Sequence, residues 1–209
     1  MPRSSVPQPH TELAEALCRV CHLFGERQWC LATSGNFSAR ADESQILITR
    51  SGTDKSRLST ADLMLCTLDG EPVDLEQKPS AETALHTCLY RQDPDIGAVL
   101  HTHSVASTVL SRALPADLVI TGFEMQKAID GIRSHDESLT IPVFDNSQDM
   151  KELAAALKKR LEGGSPAPGF LIRGHGLYGW GSDIAEAQRH VEGFEFLLAC
   201  LWQERGATR

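Results

Sequence analysis

Three histidines are the residues of this sequence with the clearest potential for chemistry. His101 and His103 end an apolar run, and their spacing places both side chains on one face of a strand, about 6.6 Å apart along the backbone. His175 follows a second apolar strand and lies between two glycines, which allow backbone and ligand to approach closely. Three neutral imidazoles with one open position are typical of a catalytic divalent metal, most readily Zn²⁺ acting as a Lewis acid. The alternative is a set of hydrogen-bonded histidines at strand ends.

Two polar turns and one serine could bind an anion such as phosphate. Residues 33–38 and residues 49–55 combine hydroxyl groups with glycines whose backbone N–H groups are accessible, and the second turn adds a lysine. A serine at the start of a predicted helix would add a hydroxyl and the positive end of the helix dipole. Taken singly, these are ordinary turns. The candidate residues are Ser34, Gly35, Asn36, Ser51, Gly52, Lys55 and Ser80.

Two glutamates are candidates for proton transfer. Glu82 falls in the first turn of a helix predicted over residues 80–92, and Glu124 follows an apolar strand and precedes a helix predicted over residues 125–132. A carboxylate in the first turn of a helix is also stabilised simply by the helix dipole. Position in the sequence therefore leaves a catalytic and a purely structural role open for both residues.

These candidates must be positioned by alternating strands and helices. Apolar residues at helical spacing predict further helices that begin near residues 11, 106, 147 and 183. Short apolar runs predict strands over residues 45–49, 63–68, 96–104, 118–121, 139–144 and 170–173, followed by a glycine-rich passage. Connections such as the Asp69-Gly70 turn are too short for a crossover helix, so we expect one α/β domain with a mixed or largely antiparallel sheet.

Composition excludes several classes of protein. The chain has 209 residues, 41% of them hydrophobic, which is enough to bury a core in one domain, and residues 1–10 are expected to form a flexible arm. A net charge of -8 disfavours nucleic acid or an anionic membrane as partner. No apolar stretch approaches a membrane span or a signal peptide, so we expect a cytoplasmic protein whose six cysteines are reduced.

Two short motifs match known cofactor-binding patterns, but the sequence around each of them argues against that function. The CxxCH pattern at residues 18–22 matches c-type haem attachment, but both cysteines belong to the apolar face of a predicted helix and no export signal is present. The GxGxxG pattern at residues 174–179 matches a dinucleotide fingerprint, but the last helix runs nearly to the end of the chain. That leaves no second strand to carry the ribose-binding acid.

The order and spacing of five motifs resemble the class II aldolase/adducin family, over residues 11–202. They are Ser34-Gly35-Asn36-x-Ser38, Ile48-Thr49-x-Ser51-Gly52, Pro79-Ser80-x-Glu82, His101-x-His103 and Arg173-Gly174-His175-Gly176. The resemblance implies a catalytic domain over residues 11–209 with a single-domain, three-layer α/β/α fold and a central mixed, mostly antiparallel sheet. It also implies one Zn²⁺ per subunit on the three histidines, and a homotetramer with active sites near subunit interfaces.

The resemblance also assigns substrate contacts. It implies that Asn36, Ser51, Gly52 and Ser80 bind the phosphate of a phosphorylated ketose. Relatives often carry a second hydroxyl where this chain has Ala81, so one phosphate contact differs. In the related aldolases, the glutamate that matches Glu82 is the acid/base at the metal.

Within the family, residues 51–55, 122–128 and 176–181 resemble the methylthioribulose-1-phosphate dehydratases of methionine salvage. This branch implies a zinc-dependent hydro-lyase that converts 5-methylthioribulose-1-phosphate to 2,3-diketo-5-methylthiopentyl-1-phosphate. Zn²⁺ would polarise the C2 carbonyl, and Glu124 would transfer the proton.

Three other functions remain open from the sequence. A phosphoketose aldolase or 4-epimerase could use the same scaffold, although those relatives use an additional tyrosine near the C-terminus that residues 202–209 lack. A non-catalytic, adducin-like interaction module is more distant, because such members lose the metal histidines. The last is a nonspecific metal hydrolase.

Overall fold

The computed structural model describes residues 10–207, which form five helices and nine strands. The helices are α1 (Thr11–Glu26), α2 (Thr83–Gln92), α3 (Val105–Ala113), α4 (Met150–Leu161) and α5 (Ile184–Ala207). The strands are β1 (Asn36–Arg40), β2 (Gln45–Thr49), β3 (Leu63–Thr67), β4 (Ala98–Thr102), β5 (Leu118–Ile120), β6 (Leu139–Ile141), β7 (Val143–Phe144), β8 (Gly169–Ile172) and β9 (Gly176–Gly181).

Seven strands form the central sheet, in the order β3-β2-β1-β4-β9-β8-β7. Every neighbouring pair is antiparallel except β7 and β8, which are parallel. Strands β5 and β6 form a separate antiparallel pair. The predicted mixed, mostly antiparallel sheet is therefore confirmed.

Helices cover both faces of the sheet. Side chains alternate along each strand, so Leu47 of β2 packs with the core under α1, α3 and α5. Its neighbours Ile46 and Ile48 pack with the opposite core, under α2 and α4. Two hydrophobic cores on either side of one sheet make the three-layer α/β/α arrangement, which confirms the predicted single-domain fold class.

The glycine-rich passage is a strand, which the sequence analysis did not predict. Strand β9 lies in the middle of the sheet, between β4 and β8. Glycine is a poor strand former, but a Cβ on Gly176 would come within 2.0 Å of the Thr102 carbonyl oxygen, and one on Gly181 within 2.5 Å of the Ala187 nitrogen. These glycines therefore allow backbones to approach closely, and Gly176 belongs to the GxGxxG pattern.

Most predicted elements differ from the observed ones by a few residues at their ends, and three of the differences change the type, pairing or start of an element near the candidate residues. The helix expected over residues 125–132 is a short 3₁₀ turn, Glu124–Ala128. The strand expected over residues 139–144 divides into β6 and β7, which pair in different sheets on either side of Pro142. Helix α2 begins three residues after Ser80, so that Glu82 becomes the residue immediately before its first turn.

The remaining predictions concern the N-terminal arm, the cysteines and membrane-spanning segments. The flexible arm over residues 1–10 lies outside the described residues, apart from His10, which precedes α1. All six cysteines are free thiols, and both cysteines of the CxxCH pattern are buried in α1. Within residues 10–207, no helix combines the length and apolar content needed to cross a membrane.

Candidate active site

A row of three side chains crosses the centre of the sheet. In the strand register, His101 of β4 lies opposite Asn36 of β1 on one side and opposite Tyr178 of β9 on the other. Directly opposed residues project to the same face of a sheet, so the three side chains are neighbours. The ring of Tyr178 stacks on that of His101, with centroids 3.9 Å apart. The sheet thus presents a polar row toward α2, where the chain supplies Glu82.

The three predicted metal ligands converge, and Glu82 joins them. The Nε2 atom of His101 lies 2.7 Å from Nε2 of His103 and 3.3 Å from Nε2 of His175. Glu82 places Oε1 3.2 Å from His175 Nε2 and Oε2 3.4 Å from His101 Nε2. One ligating atom from each of the four residues lies within 4.8 Å of all the others.

The chemistry of this group fits a divalent metal ion. His101 donates its Nδ1–H to the Leu177 carbonyl oxygen, 2.9 Å away, which leaves the electron pair of Nε2 directed at the group. Burial lowers the pKa of His101 well below its ordinary value and that of His103 to about 4, so both rings are neutral at pH 7. Neutral imidazoles with one carboxylate are a donor set that binds Zn²⁺ and related ions.

Glu82 is held in place by two donors. Its Oε2 accepts hydrogen bonds from the Asn36 amide and from the Tyr178 hydroxyl, the latter at 3.0 Å. Burial by itself would raise the pKa of this carboxyl, but hydrogen bonding to His175 and the other polar neighbours keep it well below its usual range. Glu82 is therefore an ionised and oriented carboxylate. Tyr178 was missed by the sequence analysis because its position depends on β9.

All seven predicted phosphate-site residues line one cavity of about 120 Å³. Glu82 and His103 form part of its wall, so the cavity adjoins the histidine group directly. Thr33, Thr49 and Arg50 also line it, and the sequence analysis did not name these as candidates. The two turns come together because one precedes β1 and the other follows β2, which are adjacent antiparallel strands. The start of α2 meets them where Asn36 donates a hydrogen bond to Glu82.

Lys55 is the buried cation of this cavity. Only 1% of the residue is exposed, and its Nζ donates to the carbonyl oxygens of Thr33 (3.1 Å) and Thr53 (2.7 Å). An ammonium group has three donors, so one remains available beyond these two bonds. Burial lowers the pKa of Lys55. The lysine joins the two turns and brings positive charge to the cavity.

His86 is a second residue that the sequence analysis did not include in the site. It follows Glu82 by four residues, which is a helical spacing that could have indicated their proximity. The residue is completely buried, and its ring contacts Asn36 through Nε2 and Ser38 through Nδ1. Asn36 lines the phosphate cavity, but both ends of its amide are occupied by Glu82 and His86.

Glu124 does not join this group in the structure. Its side chain is 72% exposed, at the start of the 3₁₀ turn, and it pairs with Lys127 and His135. The hydrogen bond from Lys127 and the charge of that lysine lower the pKa of Glu124, so it is an exposed carboxylate at neutral pH. Among the described residues, the histidine group contains one glutamate, Glu82.

Comparisons with known proteins agree with this geometry. The family "Class II Aldolase and Adducin N-terminal domain" matches residues 15–202. A methylthioribulose-1-phosphate dehydratase of Serratia proteamaculans (strain 568) is 50% identical over 192 residues, which cover 91% of this chain and 94% of that protein. One from Pectobacterium atrosepticum is 51% identical over 191 residues, covering 91% and 93%.

The fold has close counterparts among solved structures. The L-fuculose-1-phosphate aldolase of Thermus thermophilus superimposes with a TM-score of 0.77 at 25% identity, covering 95% of this chain and 98% of the aldolase. The family match over most of the chain, the shared fold and the convergence of the motif residues lead to one conclusion. This chain is a member of the class II aldolase/adducin family.

Proposed function

We propose that this chain dehydrates 5-methylthioribulose-1-phosphate to 2,3-diketo-5-methylthiopentyl-1-phosphate, a reaction of methionine salvage. The observation that carries the proposal is that one wall, formed by Glu82 and His103, is shared by the histidine group and the hydroxyl-lined cavity. A substrate with phosphate at one end and oxygen atoms beside it matches that arrangement. The dehydratases that are about 50% identical over most of the chain support the same assignment.

We assign a Zn²⁺ ion to His101, His103 and His175, one per subunit. Their converging Nε2 atoms and the neutral rings of His101 and His103 suit this role, and Glu82 lies within reach of the same ion. When bound, the metal supplies a Lewis acid for the oxygens next to the reacting carbon. The protein's own contribution is to orient the ligands through the Leu177 carbonyl and the donors on Glu82.

We assign the phosphate group to the cavity. Ser51 and Ser80 supply hydroxyl donors, and Gly52 allows a backbone N–H to face the anion. Lys55 supplies a buried positive charge, which attracts a dianion more strongly than an exposed lysine would. Asn36 contributes mainly by holding Glu82, because both ends of its amide are already paired.

We propose that Glu124 is the acid/base and that it serves the site of a neighbouring subunit. Its carboxylate would remove the C3 proton, and the C4 hydroxyl would leave as water after accepting that proton, giving an enol that becomes the diketone. Exposed Glu124 is followed in the chain by Met125, which is also exposed. Met125 and Phe196 line one surface groove, and these exposed apolar side chains would be covered if the groove packed against another subunit. A homotetramer, as in the expected assembly, would supply such contacts.

Six free thiols agree with a cytoplasmic location.

A second candidate is a phosphoketose aldolase, which the position of Glu82 favours. Glu82 is the carboxylate nearest the histidines, and the matching residue serves as acid/base in the related aldolases. The two reactions leave different products from a ketose phosphate. Dehydration keeps the carbon chain intact, whereas retro-aldol cleavage divides it.

The test is to incubate the zinc-loaded protein with 5-methylthioribulose-1-phosphate and identify the products by mass spectrometry. We expect a diketone that is lighter than the substrate by one water. His175→Ala should form none and should bind well under one equivalent of zinc, because one of three ligands is lost. Cleavage fragments would favour the aldolase, and an unchanged substrate with full zinc content would refute both assignments.

A further inference from the structure

His86 is a fully buried histidine that the proposed reaction does not use. It belongs to α2, one turn after Glu82, and its ring meets the edge of Tyr178 with centroids 5.7 Å apart. Burial lowers the pKa of His86 to about 4, so its ring is neutral at pH 7. A neutral imidazole has one donor and one acceptor nitrogen, and its neighbours decide which is which.

A continuous chain of hydrogen bonds determines the tautomer of His86. The amide nitrogen of Asn36 faces Glu82 Oε2, and its amide oxygen faces His86 Nε2. An amide nitrogen donates and an amide oxygen accepts, so Asn36 donates to Glu82 and accepts from His86. The Nε2 atom of His86 must then donate to that oxygen, which leaves Nδ1 as an acceptor. The Ser38 hydroxyl, 2.7 Å away, donates to Nδ1 and accepts in turn from the Tyr90 hydroxyl at 2.9 Å.

Every member of this chain has its direction set by the one before it. Ser38 and Tyr90 are buried, with 0% and 2% exposure, so water does not compete for their hydroxyl groups. The guanidinium of Arg40 lies over the Tyr90 ring, 4.9 Å from its centroid, and keeps that end of the chain in place. The chain therefore runs in one direction between α2 and β1, from the Tyr90 hydroxyl to the Glu82 carboxylate beside the histidine group.

We propose that His86 is a positioning residue for Glu82, acting through Asn36. An asparagine amide can rotate by half a turn with little change in shape, which would put its carbonyl oxygen against the Glu82 carboxylate. The donor at His86 Nε2 prevents this rotation, because the rotated amide would place NH₂ against an N–H group. Glu82 is thereby kept oriented toward the histidines. The effect on turnover rests on the proposed function, but the effect on the carboxylate and on metal binding does not.

Two substitutions separate positioning from simple packing. His86→Gln places an amide NH₂ near the original Nε2 and can still donate to Asn36. His86→Asn has a shorter side chain, which reaches the Nδ1 position and Ser38 but leaves the Asn36 carbonyl without a donor. Both put one neutral amide into the same buried site, so a role in packing alone predicts similar losses for the two variants.

We expect His86→Asn to lower kcat and zinc affinity by about tenfold or more, the usual range for residues that orient metal-site groups. KM should change little, because the phosphate contacts are untouched. His86→Gln should retain most of both properties. Zinc affinity is measured by competition with a chelator and requires no turnover. Equal losses in the two variants, with equal thermal stability, would overturn the proposal.

The wild-type protein supplies a second test that does not depend on either variant. Histidine-selective ¹⁵N labelling and NMR should show His86 protonated at Nε2 and bare at Nδ1, with the His86→Gln spectrum identifying the signal. A proton on Nδ1 would overturn the proposal even if both variants fail to fold. If the wild-type protein forms no diketone, the proposed function fails, whereas the tautomer and the zinc titration still decide the role of His86.

Discussion

At the level of single residues, burial sets the charges of the candidate site. It lowers the pKa of His103 to about 4 and raises that of Tyr178 well above its ordinary value, so both side chains are neutral at pH 7. Tyr178 therefore remains a hydrogen-bond donor to Glu82. The site combines the neutral rings of His101 and His103 and one carboxylate with the buried cation Lys55 across the cavity. This separation of charge suits a substrate with a phosphate at one end and neutral oxygens at the other.

Glu124→Gln tests the proton-transfer role at this scale. The substitution keeps the size of the side chain and removes the proton-accepting carboxylate, so zinc content and phosphate binding should persist. We expect kcat to fall by about 10² to 10⁴-fold, the usual effect of losing a positioned general base. Steady-state kinetics and elemental analysis measure the two properties.

Glu82→Gln is the matched comparison for Glu124→Gln. It should be the milder change in turnover, since Glu82 is fixed by Asn36 and Tyr178 beside the histidines rather than free to carry protons. Near wild-type turnover in Glu124→Gln, together with collapse in Glu82→Gln, would assign the base to Glu82 and favour the aldolase pattern.

At the level of elements, the two turns that line the cavity are joined by one side chain. Lys55 lies in a 3₁₀ turn after β2 and bonds to a carbonyl of the turn before β1. We expect Lys55→Met to raise KM by about tenfold or more with a smaller change in kcat, because the lysine binds phosphate in ground and transition states alike. Thermal stabilisation by inorganic phosphate should also disappear.

The control for Lys55 is Lys159→Met, which removes an exposed lysine of α4 far along the chain. It should leave KM and the phosphate effect unchanged. A Lys55→Met protein that is stabilised by phosphate as strongly as the wild type would remove Lys55 from the phosphate site.

Strand β9 depends on glycine where it passes the end of β4. A Cβ at Gly176 would lie 2.0 Å from the Thr102 carbonyl oxygen and 3.2 Å from the His101 ring, so the strands would have to move apart. We expect Gly176→Ala to reduce the free energy of unfolding by about 3 kcal/mol, the upper range for overpacking, and to weaken zinc binding. Urea unfolding and chelator competition measure these effects.

Gly206→Ala provides the contrast, because a Cβ there would meet nothing within 4 Å. Its position within α5 should make the alanine neutral or slightly stabilising. Equal stability of the two alanine variants would contradict the close approach of β9 and β4.

At the level of the whole molecule, a buried acid connects α5 to β4, the strand that carries His101. Glu195 is 2% exposed; its Oε1 accepts a hydrogen bond from Thr102, which lies between two of the histidines. Its Oε2 has no hydrogen-bond partner within the described part of the chain. Burial raises the pKa of Glu195 from 4.5 to about 7. Between these two pH values the carboxyl group is protonated in the folded protein and ionised in the unfolded chain.

This raised pKa predicts a loss of stability with rising pH. Below pH 4.5 Glu195 is protonated in both states, so its ionisation does not affect stability. Between pH 4.5 and 7 ionisation stabilises the unfolded state, so the free energy of unfolding falls as the pH rises. Above pH 7 Glu195 is ionised in both states and the free energy of unfolding falls no further. The full loss is about 3 kcal/mol, from 1.36 kcal/mol per pKa unit. We expect the free energy of unfolding of Glu195→Gln to lack this pH-dependent loss, because glutamine does not ionise. Urea unfolding of both proteins across that pH range, at one protein concentration, measures the difference, and parallel curves would contradict it.

Residue types and local geometry could be predicted from the sequence alone. The spacing of His101 and His103 predicted that both rings lie on one face, and the rings do meet, although β4 ends at Thr102, one residue before His103. The apolar patterns likewise predicted most helices and strands to within a few residues, because each helix buries one face and the central strands are short apolar runs buried on both faces. The polar turns around Ser34 and Ser51 were recognisable for the same reason, since glycines and hydroxyls shape a turn locally.

The neighbours of these residues depend on the tertiary structure and could not be predicted from the sequence. The glycine-rich β9 gives no local strand signal, since its glycines are required by backbones that are distant in sequence, and Tyr178 reaches Glu82 only because β9 pairs with β4. His86 enters the site through strand order, which sets Asn36 beside His101. Glu124 resembles Glu82 as a carboxylate at the start of a turn, yet one is exposed and the other lies among the histidines. Burial and pairing between distant segments make that difference, and neither is a property of a local stretch of chain.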